Sequence, residues 1–224
     1  MSSFLQDLQA TYFIDSDDER IVQFSKGIVG SEVDPIKQAI GLYYAVRDNF
    51  RYDPYGISLQ PDAFKASSVL GLRKGWCVSK AILLAACCRS IGIPSRLGFA
   101  DVSNHLSTQR MRKMMQTDVF YWHGYTSIYL YNKWVKATPA FNIELCEKFH
   151  LKPLEFNGIE DSIYHEFDEL GNRHMEYLHD RGEHTDLPLD ALLETFAKHY
   201  PDSGALDSDA DFDKDIANEM IRSV

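Results

Sequence analysis

The sequence lacks the features that mark membrane-spanning, secreted and unstructured chains. Its longest apolar run, AILLAACC, is far shorter than the roughly 20 residues that a membrane-spanning helix needs. The opening MSSFLQDLQATYF has no basic stretch followed by an apolar run, so we expect no secretory signal. Four cysteines in 224 residues do not make a disulfide framework, and two of them are adjacent. These absences predict a reduced, cytoplasmic protein with no membrane partner.

The composition is that of an ordinary folded chain, with 45% hydrophobic and 25% charged residues. Its length predicts one large domain, or one domain with a modest appendage. We expect a core over residues 1–142 and a helical or looped extension over 143–201 that packs on this core. Residues 202–224 are rich in aspartate and are expected to form a mobile acidic tail. The oligomeric state is left open.

The net charge of −10 is unevenly spread along the chain. Residues 65–113 hold nine basic side chains and one acidic side chain, whereas residues 160–190 hold ten acidic side chains and two arginines. The two regions could attract each other within one fold, or the basic region could form a groove for an anionic ligand. The first reading is favoured because the overall charge repels nucleic acid at long range and no basic-aromatic signature occurs. We therefore expect no nucleic-acid partner.

The order of the expected elements predicts an α+β fold. The helices have capping or stop signals, and the strands have a period of two. The expected helices are one opened by a capping box at Ser16–Glu19, one from Pro35 to about Asn49, one over Cys77–Ile91 and one over Leu187–Tyr200. The expected strands are Arg96–Val102, Phe120–Tyr131 and Lys133–Ala137, the last two forming a hairpin. The segment RHMEYLHDRGEH is expected to fold over the core as a lid or brace.

Cys77 begins an expected helix, and this position is chemically distinctive. Unpaired backbone N–H groups and the helix dipole favour thiolate over thiol, which lowers the pKa of a cysteine there. Gly75 would permit close substrate approach, and Trp76 could wall the site. His123, in the middle of a strand, is the natural base for this nucleophile. A residue that orients the imidazole is expected on the neighbouring strand.

Each of these residues also has a structural interpretation. A lone cysteine at a helix start commonly packs as a small hydrophobic residue, and a lone histidine in a strand is commonly a satisfied, partly buried residue. Cys87 and Cys88 lie among Ala and Leu within the helix, and they are interpreted as core together with Cys146. Only the combination of residues indicates chemistry.

Three segments resemble the transglutaminase-like superfamily. They are GWCVSKAILLAACCRSIGIPSRLGF, HGYTSIYLYNKWVKATPAFN and VRDNFRYDPYG, within residues 36–142. The resemblance implies a papain-like fold, in which a helix headed by cysteine packs on an antiparallel sheet that carries a histidine and an acid. It also implies acyl-thioester chemistry, with Cys77 as nucleophile and His123 as base.

The sequence departs from the family pattern at the residue that should orient the histidine. The family normally has Asp-Pro at the end of the second strand, and the matching residue here is Thr138, followed by Pro139. A threonine hydroxyl can hold an imidazole tautomer but cannot supply negative charge. Asn142 is the alternative, because papain-type enzymes use an asparagine in this role.

The expected function is a thiol-dependent enzyme that acts on amide or peptide bonds, with hydrolysis favoured over transamidation. The rival is an interaction module that kept the fold and lost the reaction, which the missing aspartate favours. A third possibility is acyl transfer to an arylamine. No cofactor is expected. The four histidines at positions 165, 174, 179 and 184 invite a metal interpretation, but their spacing does not put them on one helical face.

Overall fold

The chain forms an α+β fold, as the sequence predicts. A computed structural model describes residues 4–104, 107–163, 175–200 and 210–222. The helices are α1 (Glu19–Val29), α2 (Pro35–Asn49), α3 (Ala66–Leu72), α4 (Cys77–Ser90), α5 (Gln109–Met115), α6 (Ile143–Lys148), α7 (Leu189–His199) and α8 (Phe212–Arg222). The strands are β1 (Arg51–Tyr52), β2 (Lys74–Gly75), β3 (Ser95–Asn104), β4 (Val119–Leu130), β5 (Lys133–Ala137) and β6 (Met175–His184). Within these ranges, no helix is long and apolar enough to cross a bilayer.

Four strands make one antiparallel sheet with the order β5-β4-β3-β6. The pairing of β3 with β4 sets Ala100 opposite His123. The predicted hairpin of β4 and β5 is confirmed, and it turns through Tyr131 and Asn132 with φ values of 44° and 67°. Two residues with positive φ give a turn whose twist matches that of the paired strands. A separate pair, β1 and β2, is parallel.

Helix α4 lies at the centre of the core against β4. Thirteen of its residues are buried, because small side chains on several of its faces let neighbouring helices and the sheet approach closely. The hydroxyl of Thr126 on β4 donates to the carbonyl of Ala81 at 2.9 Å, which ties the sheet to the helix. The predicted helix headed by Cys77 and packed on an antiparallel sheet is therefore confirmed.

The N-terminal helices begin at capping aspartates. Asp34 accepts a hydrogen bond from the N–H of Ile36 at 3.0 Å, and α2 runs to Asn49 as predicted. The capping box predicted at Ser16 is wrong, because α1 begins two residues later than that box implies. Its cap is Asp18, which accepts a hydrogen bond from the N–H of Arg20 at 2.9 Å.

The C-terminal third contains a strand that the sequence does not predict. Residues 175–184, expected to be a lid or brace, form β6 at the edge of the sheet beside β3. The extension over 143–201 is thus partly β rather than wholly helical or looped, and it shares a sheet with the core. The pairing has two register shifts, and β6 carries many charged residues, so its period of two is weak in the sequence.

Residues 212–222, which belong to the segment expected to be a mobile acidic tail, form helix α8. Residues 201–209 lie outside the described part of the chain. Beyond them, Phe212 and Ile216 of α8 are buried. The ring of Phe212 lies 5.9 Å from that of Tyr52 and 5.2 Å from that of Tyr55. This aromatic packing fixes the start of α8 against the body.

Ion pairs join the acidic regions to basic side chains. Asp215 pairs with Arg110 at 2.8 Å, and Glu219 lies 3.7 Å from Arg112. Asp213 contacts both Arg51 and Lys148 at 3.0 and 3.1 Å, and Glu183 lies 3.9 Å from Arg96. Among these pairs, Glu183 with Arg96 joins the two regions of opposite charge, as the favoured interpretation expects. The acidic partners in the other pairs lie beyond residue 190.

Candidate active site

Cys77 is the first residue of α4, and its side chain is only 6% exposed. The turn before it is held by Ser79, whose hydroxyl accepts the N–H of Trp76 at 3.0 Å and donates to the Trp76 carbonyl at 3.2 Å. A side chain at Gly75 would collide with this hydroxyl. Gly75 therefore makes room for the hydroxyl of Ser79. This contact explains the glycine without the role in substrate approach that the sequence suggests for it.

His123 lies on the strand that touches the start of α4. The next residue, Gly124, approaches the helix so closely that a Cβ there would lie 2.9 Å from the Cα of Val78 and 3.3 Å from the carbonyl oxygen of Cys77. Only glycine allows this contact between backbones. The sequence carries a signal for it, a glycine inside a strand directly after a candidate base. Because of this contact, the segment bearing His123 is fixed against Cys77.

Cys77 and His123 line the same cleft, whose space amounts to about 740 Å³ when the part open to solvent is included. The structure thus brings together the two residues that the sequence singles out as nucleophile and base. Trp76 is a wall of this cleft, as expected. The other lining residues are Tyr52, Pro54, Ile57, Leu59, Met111, Met114, Met115, Phe120, Tyr121, Phe196 and Tyr200.

Two opposing effects set the acidity of Cys77. Burial raises the pKa of its thiol to about 11, and the backbone N–H groups of Gly124, Val78 and Cys77 itself act to lower this pKa. The predicted fall in pKa is therefore wrong for this closed cleft, because the loss of hydration outweighs the N–H groups at the helix start. The thiol is neutral at pH 7.

The three other cysteines differ from Cys77 in both exposure and acidity. Cys87, Cys88 and Cys146 are fully buried. Burial raises the pKa of Cys87 and of Cys146 to about 12, and it raises that of Cys88 well above its usual value. Cys77 is thus the most acidic and the least enclosed of the four thiols. Their interpretation as core residues agrees with this burial.

A strained bulge in β4 comes directly before His123. Trp122 has a φ of 62°, a value that bulky residues rarely adopt, and the register of β3 with β4 shifts at this point. The carboxylate of Asp101 accepts the N–H of Trp122 at 3.1 Å, and Arg181 contacts both oxygens of the same carboxylate at 2.5 and 2.9 Å. Asp101 and Arg181 thus stabilise the bent backbone that presents His123. The sequence offers one signal, since Asp101 is the sole acid in a basic region.

Comparison with protein families now identifies the fold. The model of the transglutaminase-like superfamily matches residues 22–139, which is more than half of the chain. The chain belongs to this superfamily. No curated protein matches it at a significant level.

Several solved structures resemble this superfamily member at low sequence identity. One is a candidate cysteine protease from Cytophaga hutchinsonii, with 15% identity and a TM-score of 0.48 over 82% of this chain and 55% of the other. Another is a candidate protease from Parabacteroides distasonis, with 13% identity and a TM-score of 0.38 over 57% and 26%. A third is the arylamine N-acetyltransferase of Mycobacterium abscessus, with 15% identity and a TM-score of 0.40 over 59% and 46%. The chain thus spans about half or less of each of these proteins.

Thr138 is the residue that the sequence resemblance sets at the position of the family's aspartate. Its side chain is buried, and its hydroxyl donates to the carbonyl of Ile163 at 2.9 Å. Thr138 and His123 also line a second, smaller cavity. The proton of this hydroxyl is donated to Ile163, and the lone pairs of its oxygen can still accept a hydrogen bond.

Asn142 holds a different part of the site. Its side-chain oxygen accepts the N–H of Tyr52 at 3.0 Å, and Tyr52 lines the cleft. Among the described residues that line the cleft or the smaller cavity, Asn142 does not occur. Asn142 therefore contacts Tyr52 in the wall of the cleft, whereas Thr138 lines the same small cavity as His123.

Lys80, one turn after Cys77, is a buried residue that the sequence interpretation missed. Its ammonium group donates to the carbonyls of Arg47, Phe50 and Ala140 at 2.9, 2.6 and 2.8 Å. These three acceptors match the three protons of the charged form. Burial lowers the pKa of Lys80 to about 7, so the hydrogen bonds and the loss of hydration act in opposite directions. A lone lysine in a helix of small and apolar residues is the signal in the sequence.

Helix α7 covers one side of the cleft. The hydroxyl of Tyr200, directly after α7, accepts the N–H of Tyr121 at 2.7 Å and donates to the carbonyl of Val119 at 2.8 Å. The ring of Phe196 lies 5.9 Å from that of Trp76. The sequence predicts this helix but gives no sign that it lies over the cysteine.

The histidines that invite a metal interpretation are only partly described. His165 and His174 lie outside the described residues. His179 and His184 lie on β6, and Nε2 of His184 is 3.1 Å from the carbonyl oxygen of Arg181. In the part of the chain that the structure describes, no three His, Cys, Asp or Glu side chains converge as metal ligands would.

Proposed function

We propose that the protein is a thiol-dependent hydrolase of amide or peptide bonds that works through an acyl-thioester. The observation that carries the proposal is the convergence of Cys77, at the start of α4, and His123, on the adjoining strand, in one cleft. A nucleophilic thiol beside an imidazole is the arrangement that acyl transfer requires. Membership of the transglutaminase-like superfamily supports a cysteine-dependent reaction.

The neutral thiol of Cys77 favours general-base attack rather than a resting ion pair. His123 takes the thiol proton while the sulfur bonds to the substrate carbonyl carbon, and the carbonyl π electrons move to oxygen. When this intermediate collapses, the C–N bond breaks and His123 gives the proton to the leaving nitrogen. The backbone N–H of Cys77 is suited to stabilise the oxyanion.

Water completes the reaction. His123 takes a proton from the water as its oxygen attacks the thioester carbon. The C–S bond then breaks, the acid product leaves, and the sulfur regains its proton from His123. Among the described residues that line the cleft, none marks a binding site for an acceptor amine, and water is the favoured acceptor. No cofactor and no nucleic acid take part in the proposed reaction. Four free thiols support a reducing, cytoplasmic setting.

Thr138 is the favoured positioning residue for His123. The cavity that the two residues share supports this choice, whereas the side-chain oxygen of Asn142 is engaged by Tyr52. Replacement Thr138→Asp should raise the imidazole pKa, because a nearby negative charge favours the protonated ring. We expect faster alkylation of Cys77 near neutral pH in this variant. If Asn142→Ala shifts the pH profile and Thr138→Asp does not, the role belongs to Asn142.

The test of the function is the identity and dependence of the reactive thiol. We expect iodoacetamide to modify Cys77 faster than the other three cysteines, as mapped by mass spectrometry, and His123→Ala to slow this modification. Cys146→Ser is the matched control and should leave the rate at Cys77 unchanged. Equal modification of all four cysteines, or a rate that ignores His123→Ala, would contradict the proposal.

The second candidate is a protein-interaction module without turnover. It is favoured by one observation, the threonine at the position where the family has a carboxylate. Amide or peptide hydrolysis that disappears in Cys77→Ser separates the two candidates, because an interaction module would show none.

A further inference from the structure

The chemistry of the cleft walls limits which substrates can bind beside Cys77. Apart from the catalytic pair, the side chains that line it are aliphatic, aromatic or thioether groups, and their only polar atoms are tyrosine hydroxyls and the indole N–H of Trp76. No lysine, arginine, aspartate or glutamate occurs among these lining residues in the described part of the chain. A charged substrate group would lose its hydration here without gaining a partner.

The walls come from segments that are far apart in sequence but share this apolar character. Met111, Met114 and Met115 of α5 form one side, and Phe196 of α7 with Trp76 forms another. Methionine side chains adapt to the shape of an apolar group, and aromatic rings offer it large flat faces.

The hydroxyl of Tyr200 is already used by the backbone. Tyr200 accepts from the N–H of Tyr121 and donates to the carbonyl of Val119. It therefore has little to offer a polar substrate group. The cleft offers few polar atoms to a glutamine side chain, which carries two donors and one acceptor.

We infer that the cleft selects acyl donors whose residue at the reacting carbonyl carries a large apolar side chain, such as phenylalanine or leucine. This inference rests on the proposed function, since the reacting carbonyl must lie at Cys77. Side chains of aspartate and glutamine are disfavoured in the same position. The expected selectivity is that of a peptide or amide hydrolase, not of an enzyme that modifies glutamine.

The experiment uses the full chain and four acyloxymethyl ketones that differ in one residue, Phe, Leu, Gln or Asp, and share one leaving carboxylate. The sulfur of Cys77 displaces this carboxylate from the methylene carbon, which forms a C–S bond and breaks a C–O bond. Rates of modification at Cys77 are measured by mass spectrometry and divided by the iodoacetamide rate of the same protein. We expect the Phe and Leu reagents to react at least tenfold faster than the Gln and Asp reagents.

A variant of the cleft wall tests whether the preference comes from the cleft. Met114 is half-buried on α5, and Met114→Gln changes polarity with little change in length. We expect it to lower the Phe-to-Asp rate ratio by at least threefold. The matched control is Leu72→Gln, because Leu72 is 60% exposed and lies outside the cleft. The control should leave the ratio unchanged.

The outcomes separate this inference from the proposed function. If iodoacetamide and all four ketones modify Cys77, but at equal relative rates, the substrate inference is wrong and the function stands. A preference for the Gln or Asp reagent also overturns the inference alone. If no reagent modifies Cys77, both are wrong.

Discussion

At the scale of single residues, the acidity of Cys77 results from a balance between burial and backbone N–H groups. The helix start and Gly124 supply N–H groups that favour the thiolate, but the covered cleft removes water that would favour it more. The sequence contains the first effect in the position of the cysteine. It does not contain the second, because burial depends on α7 and the loop after β1, which meet only in the folded chain.

The pH dependence of alkylation follows from this balance. The thiol has a pKa of about 11, so at pH 7 nearly all of it is protonated, and each unit of rising pH multiplies the thiolate fraction by about ten. In His123→Ala, which lacks the general base, we expect the iodoacetamide rate at Cys77 to rise about tenfold per pH unit between pH 7 and 10, and the unmodified protein to exceed this rate most near pH 7. A plateau below pH 8 would show a resting thiolate and contradict this prediction. Cys77→Ser should remove the signal.

The buried ammonium of Lys80 is a second single-residue feature with a measurable consequence. Lys80→Met would remove three hydrogen bonds and leave the buried carbonyls of Arg47, Phe50 and Ala140 without their donor. We expect a loss of about 3 to 5 kcal/mol in the free energy of unfolding, measured by urea denaturation. The control Lys37→Met changes an exposed lysine on α2 and should cost about 0.5 kcal/mol or less. Equal stabilities of the two variants would contradict a bracing role.

At the scale of elements, predictability follows the range of the interactions that fix each element. Helix α2 and the hairpin of β4 and β5 are predicted closely, because a capping aspartate and a two-residue turn act within a few residues. Strand β6 is missed because its stability depends on β3, about 80 residues earlier, and its sequence is rich in charge. Helix α8 is missed for the same reason, since distant arginines and tyrosines hold it.

Helix α8 should detach from the body without unfolding the core. Phe212→Ala removes the aromatic packing on Tyr52 and Tyr55 while leaving the ion pairs in place. We expect amide hydrogen exchange over residues 212–222 to accelerate at least tenfold, because this helix depends on few buried contacts. The control Lys214→Ala changes an exposed residue of the same helix and should have no such effect. Faster exchange throughout the molecule in Phe212→Ala would contradict independent detachment.

Ionic strength should act on the same helix. The pairs of α8 with Arg110 and Arg51 are partly exposed, so salt screens them. We expect exchange over residues 212–222 to be faster in roughly 0.5 M salt than at low salt, with little change in the core. Slower or unchanged exchange would show that the apolar contacts alone hold α8.

At the scale of the whole molecule, the fold brings together one site from segments that span most of the chain. The sequence predicts the proposed nucleophile and base, Cys77 and His123, because each lies in a motif that resembles the transglutaminase-like superfamily. It does not predict the walls, because they come from the loop after β1, from α5 and from α7, whose meeting depends on tertiary packing. The residue proposed to orient His123 is predicted only in part. The motif gives the position of Thr138, but it does not give the groups that Thr138 contacts.

The central claim is that Cys77 forms an acyl-thioester with the help of His123. The most direct measurement is the intact mass of the protein, quenched in acid within seconds of mixing with a nitrophenyl ester of an N-acylated phenylalanine, followed by peptide mapping. We expect one acyl group on Cys77, released by neutral hydroxylamine, absent in Cys77→Ala and formed at least tenfold more slowly in His123→Ala. Acylation at another residue, or acylation that is equally fast in Cys77→Ala, would contradict the claim.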